Sequence, residues 1–129
     1  MAQDRSGYVS FGSTQEHLSE LIRASAEQST TTWTVAEEAQ EGDLVVFYFT
    51  IPISAFLACG RVLRRSEDTW GEDDKPMAEV GILRLFPEPV TLQRAKKRLG
   101  LRWLRAPQGF AKKRHENVAL LLALGGVSV

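Results

Sequence analysis

Along this chain the spacing of apolar positions changes several times, and each change predicts an element. Residues 7–13, Gly-Tyr-Val-Ser-Phe-Gly-Ser, alternate well enough for a strand, with Tyr8, Val9 and Phe11 as good strand formers. Ser13 followed three residues later by Glu16 reads as a capping box. Leu18, Leu21, Ile22 and Ala26 then recur at helical spacing, which predicts an amphipathic helix over 14–28. The hydroxyl run from Ser29 to Thr32 ends it, and Trp33, Thr34 and Val35 suit a short strand. Glu37 to Asp43 is a polar connection whose turn falls at Gly42-Asp43. Leu44 to Thr50 is a continuous apolar run rich in β-branched and aromatic residues, as expected of a strand buried on both faces. Pro52 stops it, because proline cannot donate to a central ladder.

Ala55 to Leu63 reads as the antiparallel partner, with Gly60 allowing a bulge or a close approach. A polar acidic loop is predicted over 66–76, a strand over Met77 to Phe86 and a rigid turn at Pro87-Glu88-Pro89-Val90. Thr91 to Leu99 suits a short basic helix closed by Gly100. Residues 101–113 are irregular and basic, and Asn117 to Leu124 is apolar on all sides, so it should be a buried closing helix or strand. There is no internal repeat, linker or low-complexity segment. The order predicts one α+β domain over residues 1–129, a small curved mixed sheet forming an open barrel with short helices against it.

Composition adds little to this, but charge adds a direction. The 129 residues are 43% hydrophobic and 25% charged, ordinary for a globular chain with zero net charge. Residues 1–80 nevertheless hold 6 Lys/Arg against 14 Asp/Glu, and residues 81–129 hold 10 against 2. The basic residues cluster as Arg94, Lys96, Lys97, Arg98, Arg102 and Arg105, then Lys112, Lys113 and Arg114. Such clustering fits a polyanion site, and equally a basic part that the acidic part covers. The single Cys59 cannot form an internal disulfide and suits a reducing cytoplasm. No stretch is long and apolar enough for a membrane span, and the first residues lack a signal-peptide pattern.

Catalytic and metal chemistry finds little footing. His17 and His115 are far apart and neither has a second soft ligand nearby. Glu72-Asp73-Asp74 lacks the ligand pattern of a calcium loop, and Gly125-Gly126 is not a phosphate loop. Cys59 has no local base, and His17 reads as a solvated helix residue. The expectation is a chain with no metal and no cofactor, and not an enzyme.

Four segments carry a resemblance: "YVSFGSTQEHL", "TTTWT", "EGDLVVFYFTIPISAFLACGRV" and "FPEPVTLQRAKK". In this order and spacing they resemble the EVE domain of the PUA-like superfamily, which is related to YTH and ASCH domains. The resemblance runs from about residue 8 to residue 124. It implies a PUA-like open barrel and a reader that flips a modified base, 5-methylcytosine or 5-hydroxymethylcytosine in DNA, into an aromatic cage. The alternative is an ASCH- or YTH-like RNA-binding or RNA-processing domain for a modified or single-stranded nucleotide.

Under the first reading Trp33 and Trp70 form the cage. Tyr48 and Phe49 line it from the strand end, one of them facing away because strand side chains alternate. Ser13, Thr34 and Thr50 read the base edge, and the basic residues from Arg94 to Arg114 hold phosphates. Trp103, between Arg102 and Arg105, suits either a base stack or a core cap. DNA is favoured over RNA as partner, with a separate effector nuclease completing a restriction-associated function. The chain departs from the family pattern at Gly12, where a lysine is common, and over residues 104–116.

Overall fold

The computed structural model describes residues 7–50, 52–70, 75–99 and 118–127. Five strands make one sheet: β1 (Tyr8–Gly12), β2 (Thr31–Thr34), β3 (Leu44–Phe49), β4 (Ala55–Trp70) and β5 (Lys75–Thr91). The helices are α1 (Gln15–Glu27), α2 (Leu92–Leu99) and α3 (Val118–Leu124). The sheet order is β1-β3-β4-β5-β2, with β1 parallel to β3 and the other pairs antiparallel.

The two edge strands then meet. Ser10 Oγ donates to the Thr34 carbonyl at 2.9 Å, and the Trp33 indole N–H donates to the Phe11 carbonyl at 3.1 Å. Side chains, not a backbone ladder, thus close the sheet into a nearly complete barrel, which limits the exposed edges a sheet otherwise offers to other chains. The α+β open barrel expected from the sequence is the observed class.

The barrel sorts the apolar residues by strand parity. Tyr8, Trp33, Val45, Phe47, Phe49, Val62, Ala78 and Val80, drawn from all five strands, fill the interior. Val9, Val46, Tyr48, Phe56 and Val90 face outward, where Ala95 of α2 and Val118, Leu121 and Leu122 of α3 cover them. Every residue of β3 is buried, as its unbroken apolar run implies.

Local differences from the sequence reading have physical causes. The N-cap of α1 is Thr14, not Ser13: Thr14 Oγ1 accepts from the His17 N–H at 3.1 Å. The helix buries Leu21 and Ala24, while Ile22 is 44% exposed and Ala26 is exposed, because the line of contact with the barrel runs through Leu18, Leu21 and Ala24. The connection over 37–43 is not wholly solvated, since Ala39 is fully buried and holds its place through an Arg65 bond to its carbonyl at 2.9 Å. Gly42 turns there with φ of 90°, a backbone geometry that suits glycine.

Strands also run further than expected. β4 and β5 continue as a long hairpin through 66–70 and 75–76, where a loop was expected, and Trp70 pairs with Lys75. Pro87-Glu88-Pro89 is not a separate turn but a swelling within β5. The register passes from Ala58↔Leu85 to Phe56↔Val90, so these prolines leave the ladder they cannot bond to. The freed Glu88 N–H donates instead to the Gly125 carbonyl at 3.2 Å, which pins the end of α3.

A second bulge places Ile82 and Leu83 against Gly60 alone. A Cβ on Gly60 would lie 2.8 Å from Leu83, so the close approach expected of this glycine is present. Ile82 is strained by this geometry, with φ of 52° and 62% exposure. A β-branched residue in the left-handed region costs about 1–2 kcal/mol. Ile82→Asn, which tolerates that conformation and loses little burial, should stabilise the fold by about 0.5–1 kcal/mol, read as a raised urea midpoint at unchanged slope.

Candidate nucleic-acid interface

α2 supplies the cationic face that charge clustering pointed to. Thr91 Oγ1 accepts from the Arg94 N–H at 3.2 Å and so starts the helix. The Leu92 N–H donates to the Ser54 carbonyl at 3.0 Å, which ties the first turn to the turn that follows β3. Ala95 is buried against the barrel and Leu92 and Arg94 are half-buried, leaving Gln93, Lys96, Lys97 and Arg98 to solvent. Lys96, Lys97 and Arg98 occupy the last turn, where cations also favour the helix dipole.

Beside this face lies an open groove of about 530 Å³ lined by Thr91, Gln93, Arg94, Lys97 and Arg98. Among the described residues that line it, three are cations and none is acidic. Arg94 reaches Glu88 at 3.8 Å, but the contact is long and Glu88 is exposed, so this pair is weak. Among the described residues, Lys97 and Arg98 have no carboxylate within ion-pair distance. Arg23 pairs with Glu20 and Glu27, and Arg64 with Glu79, each within the acidic half of the chain. Of the nine expected phosphate contacts, the structure brings Arg94, Lys97 and Arg98 to one groove and leaves Lys96 outside its lining. Arg102, Arg105, Lys112, Lys113 and Arg114 lie outside the described residues, as does Trp103.

The expected cage residues divide differently. Trp33 is 6% exposed and packs edge-on against Phe47 at 5.0 Å, with the His17 ring at 5.3 Å on it. Phe49, fully buried, shares the barrel interior with Trp33. Tyr48 faces the other way, against Phe11 at 5.8 Å and Phe56 at 4.9 Å, so it lines no cavity with Trp33. Burial pushes the Tyr48 phenol up from its ordinary pKa, partly offset by a hydrogen bond with the Ser54 side chain.

Of the expected base-edge residues, Thr34 and Thr50 are held by structural bonds, Thr34 through its hydroxyl and Thr50 through its backbone. Thr34 Oγ1 donates to Met77 Sδ at 3.1 Å. Thr50 is a turn residue: its N–H donates to the Gly12 carbonyl at 3.0 Å and its carbonyl accepts from Ile53 at 3.0 Å. Ser13 is exposed beside it in the chain path from Gly12. The backbone of Trp70 sits opposite Lys75, three residues along β5 from the Ala78 that pairs with Trp33. That is roughly 10 Å of strand. Its side chain lies outside the described residues. Cys59 is 4% exposed, and burial raises its thiol pKa to about 11, which favours the uncharged thiol of a core residue.

No protein-family model matches the chain, and no curated protein matches it. Solved structures do. A crystal structure from Agrobacterium tumefaciens matches with a TM-score of 0.62 at 13% identity, covering 94% of both chains. A hypothetical protein from Leishmania major matches with a TM-score of 0.61 at 12% identity, covering 96% of this chain and 98% of that one. The neighbours also include an ASCH variant from Zymomonas mobilis, with a TM-score of 0.48 at 14% identity. At such identities the likeness concerns the fold alone.

One residue here was under-read in the sequence. His17 is at the third position of α1, where a capping box places an acceptor, and its Nδ1 accepts from the Ser13 N–H at 3.1 Å. The same ring lies against the indole of Trp33. The helical spacing located His17, but only the approach of α1 to the barrel seam shows what it covers. Among the described residues no three His, Cys, Asp or Glu side chains are grouped to hold a metal, and no helix is long and apolar enough to cross a membrane.

Proposed function

We propose that this chain is a nucleic-acid-binding module that grips the phosphate backbone along α2. The observation that carries this reading is the groove lined by Arg94, Lys97 and Arg98 without an acidic residue. Fixed cations facing a phosphodiester release condensed counterions, so affinity should fall steeply with salt. Fluorescence anisotropy with labelled single-stranded DNA, single-stranded RNA and duplex DNA over a salt series tests it. Salt-dependent binding supports the reading; absence of binding at low salt, or binding indifferent to salt, ends it.

The finer reading, a PUA-like reader of the EVE type that stacks a modified cytosine on Trp33, uses the same assay with 5-methylcytosine and 5-hydroxymethylcytosine in the strand. The present geometry demands that His17 swing off the indole before a base could stack there. Equal binding of modified and plain strands would limit the function to backbone recognition. An RNA preference with strand cleavage would favour the ASCH-like alternative.

Glu88 offers a gain-of-affinity test. Its carboxylate faces Arg94 at 3.8 Å and competes with phosphate for the same guanidinium. Glu88→Gln should tighten oligonucleotide binding about two- to fivefold at low salt, the effect fading as salt rises. Unchanged affinity would mean that Arg94 does not contact the backbone.

A further inference from the structure

The turn between β3 and β4 carries an apolar tip that the core does not take up. Pro52 and Ile53 are both exposed, Ile53 at 39%, and Ile53 joins neither apolar cluster of the described residues. The tip is nevertheless held firmly. The Thr50 carbonyl accepts from the Ile53 N–H at 3.0 Å and from the Ser54 N–H at 3.3 Å. Ser54 closes the turn with φ of 50°, a left-handed conformation that serine adopts at some cost, and its side chain bonds Tyr48. Strain kept at a turn that presents an aliphatic side chain to solvent points to a contact with another molecule.

The surroundings of the tip indicate which molecule. The Ser54 carbonyl anchors the first turn of α2 through the Leu92 N–H, and Thr91, a wall of the cationic groove, pairs with Ala55. Ala55 is two residues after Ile53, so their backbones lie within about 7 Å. An aliphatic group fixed beside phosphate-binding cations matches the wedge with which duplex-binding proteins part a base-pair step, the phosphate contacts offsetting the lost stacking. A single strand would call for an aromatic platform instead, since its bases bind through their π faces.

We propose that Ile53 is an unstacking wedge. With one backbone of a duplex held by Arg94, Lys97 and Arg98, the Ile53 side chain enters between two base pairs and parts them. This rests on the nucleic-acid reading above and names its partner as a duplex. It involves neither Trp33 nor the barrel interior.

The test uses the intact chain and a duplex of about ten base pairs, one helical turn, with 2-aminopurine at its centre. That base is quenched while stacked and brightens when its step opens. The wild type should raise its fluorescence at least about twofold at saturation. It should also bind a duplex with a central mismatch about fivefold more tightly than the matched one, because a mismatched step costs less to open. Ile53→Ser should abolish the rise and bring the two duplexes within about twofold, while Ile53→Leu should keep both effects. Arg94→Ala should weaken binding to both duplexes alike. Ile53 lies outside the core clusters, so circular dichroism should show its variants folded. No fluorescence rise with the wild type, or a rise that survives Ile53→Ser, overturns the wedge, and salt-dependent binding in the same titrations leaves the nucleic-acid reading standing. Failure of the wild type to bind any duplex or single strand at low salt overturns both.

Discussion

Trp33→Ala should cost about 3–5 kcal/mol of folding stability, the usual range for deleting a buried aromatic from a packed core. The indole is 6% exposed, meets Phe47 edge-on and carries the bond to the Phe11 carbonyl that helps close the barrel. Two effects are therefore combined, a cavity among Phe47 and its neighbours and a seam acceptor left without its donor. Trp33→Phe weights the second, because it keeps the larger part of the ring volume while removing the N–H. It should cost about 1–3 kcal/mol, the penalty of an unpaired buried carbonyl. Urea unfolding of both variants gives the two numbers. A cost for Trp33→Ala below about 1 kcal/mol would place the indole in open space, as a base-stacking wall requires, and not in the core.

The largest functional effect is expected on α2. Replacing Arg94, Lys97 and Arg98 together by alanine should lower single-strand affinity about a hundredfold at low salt. The slope of log affinity against log salt should flatten by about 2, at roughly 0.7 for each phosphate that is no longer neutralised. Lys96 provides the control: it is on the same helix and carries the same charge, but it does not line the groove. Lys96→Ala should change affinity by no more than about twofold, the size of a general surface-charge effect. The triple variant removes no buried group except the stem of half-buried Arg94, and alanine favours the helix, so its circular dichroism should match wild type. An unchanged salt slope in the triple variant would move the interface away from α2.

Much of the fold could be reasoned from residue order because its main elements state themselves locally. The doubly buried β3 follows from the apolar run Leu44–Phe49, α2 from the short basic segment after the prolines, and the β4 irregularity from Gly60. The cations Arg94, Lys97 and Arg98 at helical spacing were equally visible, since i, i+3 and i+4 positions share a face wherever the helix sits. What local pattern does not encode is which face meets which partner. Trp33 among threonines is compatible with a cavity wall and with a core, and only the meeting of β1 and β2 seals it under His17 and against Phe47. Pro87 and Pro89 announce a break in pairing, but whether that break ends β5 or swells it depends on β4 resuming at Phe56 and on Gly125 accepting the Glu88 N–H. The sequence alone determined the types of most elements, the α+β class and the cationic helix, because propensity, alternation and charge spacing act over a few residues. Tertiary structure decided the barrel seam, the burial of Trp33 and which of Tyr48 and Phe49 faces the interior, because each depends on how segments far apart in the chain pack together.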